Sequence, residues 1–181
     1  MVLTVHVPAW QLEEELAVLS VGDTLDTWLR LEESSWPGHP PERIHRLSGV
    51  ARTIPSWDGA GLGTHPTAIV SGDATVHWDA PRPVTGPVEV VGVVSTTDID
   101  APDGFPTTRG VVLRARMEWQ HYRLGEDRVR RLVVGLSRYE DVRSTYLPPP
   151  EPDRPPARPG TIEAVWAGVL VDLDVPGHVS S

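Results

Sequence analysis

Val111-Val112-Leu113-Arg114-Ala115-Arg116-Met117-Glu118-Trp119-Gln120, residues 111–120, alternates apolar and polar side chains. Val111, Leu113, Ala115, Met117 and Trp119 fall on one face of an extended chain, and Arg114, Arg116, Glu118 and Gln120 on the other. A period of two is that of a half-buried antiparallel strand. Just beyond it, Gly125-Glu126-Asp127 supplies a turn, and Val129 to Tyr139 is expected to return as the hairpin partner.

The same period recurs in both directions. Ala164 to Val175 alternates strictly through Val165, Ala167, Val169, Val171, Leu173 and Val175. At the other end, Leu3-Thr4-Val5-His6-Val7 alternates and stops at Pro8, which cannot continue a ladder. Pro8 is suited to open a short helix over Ala9 to Leu19, with Leu12, Leu16 and Leu19 on one side and Glu13-Glu14-Glu15 in its first turns. Val21-Gly22-Asp23 then turns the chain into a strand over Thr24 to Leu31. Leu47 to Ile54, Ala68 to Trp78 and Val84 to Val94 are further strand candidates, and residues 32–46 and 95–108 read as loops. Residues 148–160 form a Pro-rich spacer loop, expected to be extended and solvated. Seven or eight strands with turn signals between them predict an all-β fold: a single antiparallel β-barrel or barrel-like sandwich with at most one short N-terminal helix. A closed barrel is preferred because it leaves no exposed edge. At 181 residues the chain suits one domain, 1–181.

Composition narrows the chemistry. The chain has no Lys, no Asn and no Cys, so all sixteen of its Lys/Arg positions are Arg. Without Lys there is no Schiff base and no Walker-type phosphate ligand. Without Cys there is no thiolate nucleophile, disulfide, iron–sulfur cluster or cysteine zinc site. Lys and Asn have A-rich codons, so a GC-rich genome accounts for their absence. A net charge of −9 argues against general nucleic-acid binding, which rests on neutralising phosphates. Residues 1–30 lack a basic start followed by an apolar core, and no apolar run nears 18 residues. A soluble cytoplasmic protein, neither secreted nor membrane-bound, is the expectation.

In this order, several short motifs resemble an actinobacterial domain family of unknown function. They are Trp10-Gln11, Val21-Gly22-Asp23, Pro106-Thr107-Thr108-Arg109-Gly110, His121-Tyr122-Arg123 and Gly168-Val169-Leu170-Val171-Asp172-Leu173. The chain departs from that pattern at Leu12-Glu13-Glu14, where the family carries a Cys pair. The resemblance implies the all-β class and, since the family has no assigned activity, no reaction. A second, local resemblance involves Trp57-Asp58-Gly59-Ala60-Gly61-Leu62-Gly63-Thr64-His65-Pro66-Thr67, which is similar to the glycine turn of nitrobindin-like barrels. That likeness implies heme as a cofactor, but those barrels also use a late-strand His, and here the only His after residue 121 is His178. An ordinary glycine loop is the simpler reading. The alternative is a barrel pocket for an apolar small molecule or heme at Trp57, Gly59, Gly61, Gly63 and His65.

Other candidate chemistry is unmarked. The seven His residues (6, 39, 45, 65, 77, 121 and 178) include no pair at i, i+2 or i, i+4 spacing, so no metal site is expected. Ser137 sits mid-strand without a nucleophile elbow, and Asp172 with Asp174 reads as a solvated acidic pair. No catalytic residue can be named, and a metal-dependent enzyme has the least support. Arginine placement is more informative. Residues 109–143 hold nine Arg against five Asp and Glu, a local +4 in a chain of −9. Arg114, Arg116, Arg128, Arg130 and Arg131 are therefore the expected binding residues, for an acidic protein partner or anionic ligand, or for the acidic face of a second copy. The expectation is a non-enzymatic binding domain without a cofactor, acting through an Arg-rich hairpin.

Overall fold

β-Branched and alternating segments form eleven strands among the described residues, which in this computed structural model are 1–16, 18–33, 39–56, 63–96, 104–146 and 158–177. The strands are β1 (Val2–Pro8), β2 (Thr24–Thr27), β3 (Leu29–Glu33), β4 (Ile44–Thr53), β5 (His65–Ser71), β6 (Ala74–Ala80), β7 (Gly86–Thr96), β8 (Thr108–Leu124), β9 (Arg130–Leu132), β10 (Arg138–Val142) and β11 (Ile162–Asp174). Five of them close a barrel in the order β3-β6-β5-β4-β7, with β7 pairing back onto β3. The all-β barrel class is therefore that of the molecule, with additional strands beyond the barrel.

The extra strands are joined to the barrel through β7. One edge of β7 carries β4 up to Val93 and then β1, in parallel, at Val94 and Ser95. From β1 the sheet runs to β11 and β8, and the far edge of β8 takes β2, β10 and β9 in turn. Because β2 and β3 are one chain run interrupted at Trp28, these pairings return to the barrel and enclose a second apolar interior. Leu3, Val5, Val7, Leu25, Val112, Ala115, Met117, Val169 and Val171 fill it, continuous with Leu29, Leu31, Leu47, Ile69 and Val76 of the barrel.

Three sequence expectations are corrected. Ala68 to Trp78 is not one strand. It contains the β5–β6 hairpin, whose loop starts at Gly72 with φ +59°, the positive value that a Gly-first two-residue turn needs. The expected Ala9–Leu19 helix is reduced to the turns Ala9–Gln11 and Leu12–Leu16, the second π-helical, although Leu12 and Leu19 are buried as the pattern requires. The strand around 111–120 extends to seventeen residues, and its facing changes midway. Arg114 pairs with Asp172 but Val112 with Leu173, so Leu113 is an inserted bulge residue. Val112 is therefore buried, while Leu113 is 49% and Val111 42% exposed, the reverse of simple alternation. Of the Pro-rich spacer, 148–157 lies outside the described residues, and 158–160 includes a turn closed by Thr161 N donating to Arg158 O.

Candidate functional site

The Arg-rich segment is built as an arm on the edge of β8. Asp127 shapes its turn, accepting from Val129 N (3.2 Å) and from Arg131 Nη1 (3.0 Å), while Arg128 takes a left-handed φ of +60°. The return strand is not continuous. β9 covers Tyr122 to Leu124, the chain turns again at Gly135, and β10 covers Ala115 to Trp119. Each charged side chain finds a different environment. Arg114 is bidentate to Asp141 across the β8–β10 ladder (2.6 and 2.9 Å). Arg116, mostly buried, donates to Asp172 of β11 at 2.8 Å. Arg130 reaches Glu163 at 3.2 Å, and Arg138 lies over the Trp119 ring, 5.6 Å from its centroid. Arg128 has no ion-pair partner among the described residues.

Of the five expected binding residues, then, Arg114 and Arg116 serve the sheet itself. Arg128, Arg130 and Arg131 stay exposed at and beside the tip turn with Val129, and Val134 (63% exposed) and Leu136 are exposed on the second turn, at Gly135. Exposed ion pairs such as Arg130–Glu163 contribute little and exchange readily for an external carboxylate. Asp141 and Asp127 are held below the usual carboxylate range, chiefly by their hydrogen bonds from Arg114 and Arg131.

A second polar cluster was not legible in the sequence. Glu118, assigned by alternation to solvent, is wholly buried beneath the 3₁₀ turn Pro41–Arg43. Arg43 donates to it through Nε (2.9 and 2.8 Å) and Nη2 (2.8 Å), and Gln120 Nε2 and the Tyr139 hydroxyl each donate at 3.3 Å. Tyr122 extends the network by donating to Gln120 Oε1 at 2.7 Å. His6 Nε2 lies 3.7 Å from the carboxylate and donates to Ala167 O at 3.3 Å. Burial, reinforced by Arg43, pushes the His6 imidazole down to about 3, so near neutral pH it is uncharged and makes no ion pair with Glu118. Burial and the Glu118 charge push the Tyr139 phenol upward. Every Glu118 oxygen is already engaged by internal donors. The arrangement clasps the 3₁₀ turn to the sheet and leaves no reachable base for chemistry.

Elsewhere, His77 stacks on Trp28 (centroids 5.2 Å apart), with Phe105 edge-on to both, and burial lowers its pKa to about 4. No group of three or more metal-ligating side chains occurs among the described residues, and no helix there is long and apolar enough to cross a membrane. Trp57, Gly59 and Gly61 lie outside the described residues. Gly63 has φ +75°, and His65 begins β5 opposite Ala80. Leu29, Leu31, Leu47, Ile69, Val76 and Trp78 are buried together in the hydrophobic core. No family model matches the chain, and no curated protein or solved structure matches it either.

Proposed function

We propose that the protein is a non-enzymatic interaction domain that docks an acidic protein partner through the tip of the 125–138 arm. The observation that carries this reading is the exposure, along the arm formed by the Gly125–Val129 turn, β9 and the Gly135 turn, of Val129, Val134 and Leu136 together with Arg128, Arg130 and Arg131. Residues 125–138 hold four Arg against two acids, whereas the chain as a whole is −9. Arg is enriched in binding hot spots, and bidentate carboxylate recognition suits it in particular. Arg114 ties the return strand β10 to β8 through Asp141, and Arg116 ties β8 to β11 through Asp172.

The test uses labelled synthetic peptides of alternating Glu and Leu, with fluorescence anisotropy as the readout. Binding is expected to weaken as salt rises, because the contact charges are exposed. Replacing Arg128→Glu and Arg130→Glu together should abolish it, and Val134→Asp should weaken it without altering the fold. Peptides that bind the double variant as tightly as the parent would exclude the arm. A concentration-dependent dimer dissolved by the same substitutions would make a second copy the acidic partner.

A further inference from the structure

Closure removes the edges of the five-stranded barrel, but the strands added to it leave one open. β10 pairs with β8 on one side and, among the described residues, with no strand on the other. The direction of its backbone groups follows from β8. His121 O accepts from Val133 N across this edge, whereas Leu124, of opposite parity, bonds Gly160 and Thr161 on the side of β11. Odd-numbered residues of β8 therefore bond toward the arm, so Ala115, Met117 and Trp119 hold Val142, Glu140 and Arg138. Tyr139 and Asp141, the alternate residues, turn N–H and C=O outward, and neither has a backbone partner there among the described residues. Farther along, the same edge is closed. Arg143 O accepts from Val21 N and Thr145 N donates to Leu19 O, each at 2.8 Å. The open stretch lies between that closure and the Gly135 turn.

We infer that a second copy of this chain adds its own β10 to this edge, antiparallel about a twofold axis between the two Tyr139 residues. Charge selects both the partner and the register. Centred on Tyr139, the pairing lets the two Tyr139 residues exchange backbone hydrogen bonds and sets Arg138 opposite the partner's Glu140, twice per dimer. A register centred on Glu140 would set two carboxylates face to face, and like charges directly opposite are destabilising. A strand carrying one sign of charge would match only one of Arg138 and Glu140, whereas a second copy matches both. Within the chain these two side chains approach only to 3.8 Å and are exposed, so exchanging that contact for the cross-strand pair loses little.

The contact goes beyond the docking proposed for the arm tip and is tested separately from it. Sedimentation velocity of the full chain over about a hundredfold concentration range should show a monomer–dimer equilibrium. Arg138→Glu and Glu140→Arg each set like charges opposite one another at two places per dimer, and each should raise the dissociation constant about tenfold. The combined swap restores opposite charges and should return that constant to within about threefold of the parent's. Both positions are exposed, so the urea midpoints of all three variants should match the parent's. Amide exchange at Tyr139 and Asp141 should slow as concentration rises. Arg128→Glu with Arg130→Glu should leave the dimer intact. A monomer at every concentration, a single reversal without effect, or a combined swap no better than either single would overturn the assignment. So would a dimer dissolved by the Arg128 and Arg130 substitutions, which would place the self-contact at the arm tip.

Discussion

Arg43 and Glu118 show how much one residue's surroundings decide. In sequence, Glu118 is one polar position in an alternating strand. In the fold it is a fully buried charge, and its stability depends on a guanidinium that arrives from 75 residues away. Removing one partner strands the other in a low dielectric, which costs about 3–5 kcal/mol, whereas replacing both with apolar residues of similar size is often near neutral. Arg43→Met and Glu118→Leu should therefore each lower the urea midpoint strongly. The double variant should regain most of the loss. Additive losses in that double-mutant cycle would mean that the two side chains do not act as a unit.

At the scale of elements, the bulge in β8 determines which side of the strand faces the core. The inserted Leu113 shifts the inward set from Thr108, Gly110 and Val112 to Ala115 and Met117. The partner strand has its own irregularity. Gly168, beside the Trp166/Gly168 register shift, has φ +135°, and a Cβ there would sit 2.1 Å from Val7 O, so no other residue fits without moving β1. The bulge makes a testable distinction between adjacent residues. Val112→Ala should cost about 1–3 kcal/mol through lost burial, while Leu113→Ser should stay within about 0.5 kcal/mol. Chemical denaturation of the two variants measures both, and equal losses would mean that Leu113 packs inward. Strand existence was legible because the period of two persists across β1, β4, β7, β8 and β11. The bulge was not, because Leu113 is as apolar as its neighbours and only its partner strand shows that it is extra. The β5–β6 turn was missed although Gly72-Asp73 is a turn signal, because the apolar residues on both sides read as one strand.

For the whole molecule, titration couples to folding in one direction. His6 and His77 are held at about 3 and about 4, mainly by burial, against an ordinary value of 6.5, and His45 is lowered by burial too. Their folded values lie below their unfolded ones, so the neutral forms stabilise the native state fully above pH 6.5. That contribution is lost as pH falls from 6.5 toward 3, when the unfolded chain binds protons that the native chain does not. Asp127 and Asp141, depressed by their Arg partners, add to the loss only at the acid end of that range. Urea unfolding at pH 7, 5.5 and 4.5 should show falling stability, with His6→Gln reducing the slope. A flat profile over this range would mean that these imidazoles are solvated.

The sequence by itself determined the all-β class, the position of most strands and the sign of the charge on the 109–143 segment, because these follow from local periodicity and composition. Tertiary structure decided how that charge is used. Acids from β11 and β10 neutralise Arg116 and Arg114, and Arg128, Arg130 and Arg131 are left exposed along the arm. It also created the Glu118 clasp, which joins β8 to a 3₁₀ turn 75 residues away in the chain. Burial and charge pairing depend on which elements come together, and a period of two carries no record of that.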